Sequence, residues 1–137
     1  TLSLRHLLVT ELLFRGGNRL RPGDLDAARE QVRLAIAAKD DLGGFLRHDL
    51  EKSRIVLEKR GLIATLWLLN SVADAVVHVA QTVPARLAVP AGYVAGHMKF
   101  FDALEAGDLE RAHAVIRRLF QRQDAAILAF LAGMGEP

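Results

Sequence analysis

One junction constrains this chain more than any other stretch: Leu104-Glu105-Ala106-Gly107-Asp108-Leu109-Glu110-Arg111-Ala112. Apolar residues recur at helical spacing before it, from His97 onward, and again after it. Gly107 supplies the left-handed conformation that closes a helix, and Asp108 offers a carboxylate to the orphan amides of the next one. Two helices joined by so short a connection lie antiparallel and bury a common face. A chain with this junction is committed to helix-on-helix packing.

The rest of the sequence extends that commitment. Its 137 residues make one domain, residues 1–137, long enough to bury a core. Hydrophobic residues reach 51% with only 6% aromatic, so the core draws on Leu, Ala, Val and Ile. Alternation of apolar and polar residues never persists, and no strand is expected. Periodicity predicts six helical segments: Leu2 to Arg15, Asp24 to Lys39, Asp41 to Gly61, an apolar one from Leu62 to before Pro84, one from about Pro90 to Gly107, and Asp108 to about Ala132. The expected fold is all-α, an antiparallel bundle of about six to seven helices around a central cavity.

Several function classes are excluded. Absence of cysteine removes disulfides, thiolate metal sites and cysteine nucleophiles. Net charge is +2 with scattered arginines, so charge alone does not make the chain a nucleic-acid binder. Leu62 to Val79 is apolar enough to suggest a membrane span, but Asn70, Asp74 and His78 interrupt it and point to a buried helix instead. There is no phosphate loop, nucleophile elbow or His-Glu-x-x-His motif. Glu110 and His113 form a single Glu-x-x-His pair where a di-iron bundle needs two. An enzyme is not expected. The chain opens on Thr1 without a signal peptide and reads as a fragment of a cytoplasmic protein.

Two polar groupings remain. Asn70, Asp74 and His78 recur every four residues, with Trp67 and Ser71 beside them. Such a row is either a solvent-facing or interhelical stripe, or the wall of a ligand cavity. Tyr93, His97 and Phe101 share another helix face, where a lone histidine is more often a satisfied core residue than a ligand. Arg54 and Glu58 are spaced for an ion pair, and the arginines at 111, 117, 118 and 122 fall off the apolar stripe of the last helix onto a solvated face.

In order and spacing these pieces resemble the C-terminal effector-sensing domain of GntR-type transcription regulators, most of all its FadR-type branch. The resemblance runs from Leu2-Ser3-Leu4-Arg5 through Pro22-Gly23-Asp24, Phe45, Asp49, Gly61-Leu62-Ile63, Leu68-Leu69-Asn70 and Pro84-Ala85-Arg86. It continues through the His97-to-Ala112 pattern to Val115-Ile116-Arg117-Arg118. It implies a small-molecule effector held in a helical bundle, and DNA bound only through a winged-helix domain that this chain lacks, in a homodimeric full-length protein away from membranes. Many relatives hold a metal with an aspartate and three histidines. Asp49 and His97 match that pattern, but Ser53 and Leu119 stand at the other two positions, so no metal and no cofactor are expected. The FadR-type branch binds acyl-CoA, and Arg5 matches an arginine that meets its phosphates. Leu119-Phe120, Gln123 and Ile127 depart from that branch, which leaves a smaller apolar acid equally eligible. The expected pocket is walled by Trp67, Asn70, Asp74, Tyr93, His97 and Phe101, with Arg5 near its mouth. The alternative is a helical dimerisation module without a ligand. A TetR-type ligand domain shares the architecture but not the His97-to-Ala112 pattern.

Overall fold

A computed structural model of the chain describes residues 17–82 and 89–134, and the regular elements among them are all helices. They are α1 (Asp26–Ala37), α2 (Leu42–Arg60), α3 (Ile63–Thr82), α4 (Tyr93–Glu105) and α5 (Leu109–Met134). These correspond to the second through sixth segments expected from periodicity. The first segment, with Arg5, and the Pro84-Ala85-Arg86 stretch lie outside the described residues.

Each packed helix turns a three-and-four-spaced stripe inward. On α1 and just before it the stripe is Leu25, Ala28, Val32 and Ala35, all fully buried. On α2 it is Phe45, Asp49, Lys52 and Val56; on α4, Tyr93, His97, Phe101 and Leu104; on α5, Ala112, Ile116 and Leu119. Burying one such Leu, Val or Phe contributes about 1.5–3 kcal/mol, which makes these stripes the main source of cohesion. α1 lies on α2 and also meets α4, α4 lies on α5, and α3 lies on α2. The α5 arginines 111, 117, 118 and 122 are exposed, as their off-stripe positions predict.

The connections follow local chemistry. α2 and α4 end in the same motif. The Leu62 amide donates to the Leu57 carbonyl at 3.0 Å, and the Asp108 amide to the Ala103 carbonyl at 2.9 Å, with Gly61 and Gly107 left-handed at φ 72° and 73°. Asp108 then caps α5, accepting from the Arg111 amide at 3.1 Å. Asp24 departs from its expected role. Its carboxylate accepts from the Arg21 amide in the preceding turn, and α1 begins two residues later. The cap for α1 comes from across the bundle: Glu105 at the end of α4 accepts from the Leu25 amide at 3.0 Å. The same carboxylate takes two bonds from Arg29, at 2.6 and 3.0 Å, tying α1 to α4.

α3 corrects a second expectation. It was expected to be a buried helix, yet only Ala80 of its residues is buried, while Ile63, Trp67, Leu68, Val72 and Val79 are exposed. Among the described helices it packs mainly on α2. By length and hydropathy alone it could span a membrane, and it carries Asn70, Asp74 and His78 on exposed positions.

Candidate functional site

The inward stripes of α2 and α4 bring four polar side chains to one point. Asp49 and Lys52 lie three residues apart on α2, and Tyr93 and His97 lie four apart on α4. The Lys52 ammonium donates to Asp49 Oδ1 at 2.7 Å and reaches His97 Nε2 at 2.9 Å. The Tyr93 hydroxyl donates to the same Asp49 oxygen at 2.6 Å. His97 Nδ1 lies 2.8 Å from the Tyr93 carbonyl. An ammonium only donates, so His97 Nε2 must accept and the ring proton must sit on Nδ1, donating to that carbonyl. The geometry thus fixes one neutral tautomer. Phe45 and Phe101 flank the cluster, their rings 5.2 Å from Tyr93 and 6.0 Å from His97.

Water is nearly excluded from two members of this cluster and reaches a third: His97 is 0% exposed and Lys52 6%, while Asp49 is half-buried. Burial first, and the Lys52 charge second, bring His97 from its ordinary 6.5 down to about 3, against the opposing pull of Asp49 and the Tyr93 carbonyl. Burial disfavours the Asp49 carboxylate, but the Lys52 charge and the hydrogen bonds from Lys52 and Tyr93 outweigh it and hold the group at about 2. Burial and the neighbouring Asp49 charge push the Tyr93 phenol well up. A buried ammonium paired with a half-buried carboxylate, beside a neutral imidazole, is the resulting state.

The cluster forms the polar end of a cavity of about 290 Å³ between α2, α3, α4 and α5. Asp49, Lys52, Ser53 and His97 line that end. Leu46, Val56, Leu57, Phe100, Phe101, Ile116 and Phe120 supply the apolar wall, with Thr65 and Gln123 as further polar groups. A mostly apolar concavity with a few convergent polar groups is the form small-molecule sites take. Two larger concavities lie elsewhere on the molecule. One lies beside Ile36, Lys39, Asp40, Pro90 and Tyr93, and the other is a surface groove between α2 and α3.

His97 and Phe101 therefore line the cavity, and Tyr93 holds its Asp49 wall in place. Trp67 is 73% exposed. Asn70 and Asp74 are exposed too and face the surface groove, together with His78, Arg47 and Arg54. The structure does not bring these three to the cavity. Arg5 lies outside the described residues. Lys52 is the residue that sequence reasoning passed over. Its signal was positional: Phe45, Asp49, Lys52 and Val56 fall at spacings of four, three and four, which puts a lysine on an inward stripe.

The donor set does not fit the metal that the resemblance implies. Asp49 and His97 are already joined through an ammonium, the Ser53 hydroxyl donates to the Asp49 carbonyl at 3.2 Å, and Leu119 is buried and apolar. Among the described residues no three His, Asp or Glu side chains converge as a metal needs. Compared with known proteins, residues 1–122 match the family model of the FCD domain. No curated protein and no solved structure matches the chain.

Proposed function

The chain belongs to the FCD domain family, the effector-binding C-terminal domains of GntR-type regulators, and from that premise we propose that its α2–α5 cavity receives a small, largely apolar effector. The observation that carries this reading is the Asp49–Lys52–His97 cluster, with Lys52 and His97 buried, at one end of an apolar cavity. A polar group buried without purpose costs stability, so a core that keeps Lys52 and His97 beside a void is better explained as a binding end. FCD domains are regulatory rather than catalytic. Effector binding would shift the population of bundle conformations and, through it, the DNA affinity of a winged-helix domain preceding this one in a dimeric cytoplasmic regulator. The cavity volume lies at the lower limit of small-molecule sites, about 300 Å³, which favours a compact effector over an acyl-CoA.

Thermal-shift screening of short fatty acids, their uncharged analogues and acyl-CoAs tests this, since a ligand that binds the native state raises the melting temperature. At least one compact probe should stabilise the domain saturably, and Val56→Trp, which fills the cavity, should abolish the effect. If no probe stabilises it, the effector reading fails. The alternative, a dimerisation module, draws on one observation, the exposed apolar face of α3. It predicts a dimer in light scattering that Trp67→Glu disrupts.

A further inference from the structure

Resting on the cavity reading above, we propose that the Lys52 ammonium is a built-in cation joining Asp49 to His97 in place of a metal, and that the cavity accordingly takes an effector with an uncharged, hydrogen-bond-accepting head group.

The geometry supports the first half directly. A cation bound by this fold through Asp49 and His97 would have to sit between Asp49 Oδ1 and His97 Nε2. Lys52 Nζ occupies that point, 2.7 Å from one and 2.9 Å from the other. It arrives there from the same helix face as Asp49, three residues on, with its stem packed in the core. A metal at this place would have to displace an ammonium tethered by four methylenes, and would then find two protein donors where stable binding needs about three or four.

Charge supports the second half. The only ionisable side chains on the cavity wall among the described residues are Asp49, Lys52 and His97. The tautomer fixed by Lys52 makes His97 neutral, and the carboxylate and ammonium cancel. A divalent metal in the same place would leave an excess positive charge to meet a carboxylate; a lysine leaves none. A carboxylate entering here would lose its hydration and face the Asp49 charge across Lys52, whose own charge Asp49 already balances. An amide, ketone or ester carbonyl has little hydration to lose. It can accept the third Lys52 N–H, for which no acceptor is found among the described residues.

The test compares head groups at constant chain. Hexanoate, octanoate and decanoate are titrated by calorimetry against the matching primary amides and methyl ketones, alongside zinc chloride alone. The wild-type domain should bind the uncharged series at least about tenfold more tightly than the acids, and should take up no zinc at micromolar concentration. Asp49→Asn keeps an oxygen for Lys52 and Tyr93 while leaving the site positive, so it should move the preference toward the acids. Lys52→Ala should gain zinc affinity. Carboxylates binding the wild type more tightly than amides would overturn the inference and leave the effector cavity standing. Stoichiometric zinc in the wild type, or a head-group preference unchanged by Asp49→Asn, would overturn it as well. Binding of neither series would count against the effector cavity itself. The two wild-type comparisons hold even where a variant fails to fold.

Discussion

Lys52 and His97 meet at 2.9 Å in a place from which water is nearly excluded, although both residue types ordinarily seek it. The consequence is readable as a function of pH. His97 has a folded value of about 3 against 6.5, so between those values the unfolded chain binds a proton that the native state refuses. Stability therefore rises with pH across that window and is lost as pH falls from 6.5, by up to about 1.4 kcal/mol per pH unit. Asp49, held at about 2 instead of 3.8, adds its loss in the same direction only at lower pH, as the pH falls through that range. Urea denaturation should show this slope already between about pH 5 and 6.5, and His97→Gln should flatten it there. A wild-type profile that is flat in that interval would contradict a buried neutral His97. At this scale the sequence was half legible. Tyr93, His97 and Phe101 share one buried helix face, as their spacing predicts. Lys52 was missed because a lysine is read by type as solvated, and only its register with Phe45, Asp49 and Val56 says otherwise.

Helix ends were legible where the chemistry is local. Gly61 and Gly107 end α2 and α4 as their positions suggested, and Asp108 caps α5. Asp24 did not follow, because the acceptor that α1 uses is Glu105, eighty residues away in sequence, and no local pattern announces it. The two glycines also make a matched pair for experiment. A Cβ on Gly107 would meet nothing within 4 Å, so Gly107→Ala should cost only the left-handed backbone penalty, about 1–2 kcal/mol. A Cβ on Gly61 would lie 2.7 Å from the Asn18 side-chain nitrogen. Asn18 is itself held by backbone bonds to Arg60, its amide donating to the Arg60 carbonyl at 2.6 Å and its carbonyl accepting from the Arg60 guanidinium at 2.7 Å. Gly61→Ala should therefore destabilise more than Gly107→Ala in thermal or urea denaturation. Equal losses would mean that the contact between the segment before α1 and the end of α2 is not held as described.

As a whole the molecule is an all-helical domain, which composition and periodicity anticipated, with an interior organised differently from expectation. The apolar α3 was expected at the centre because hydropathy reports composition, and composition does not say what a helix lies against. Its row of Asn70, Asp74 and His78 consequently faces the surface, and the cavity belongs to the polar cluster of α2 and α4. The exposed arginines of α5 are spread over a chain of net charge +2. We expect no complex tighter than micromolar with random duplex DNA at physiological salt in a gel shift; sub-micromolar binding would give that basic face a role beyond solvation. The central claim is where an effector binds. Backbone amide chemical shifts of the labelled domain, followed during titration with a probe that raises its melting temperature, test that most directly. The account predicts the largest changes at Asp49, Lys52, Ser53, His97, Phe101 and Gln123. Changes concentrated instead at Asn70, Asp74 and His78, with the α2–α4 cluster unmoved, would contradict it.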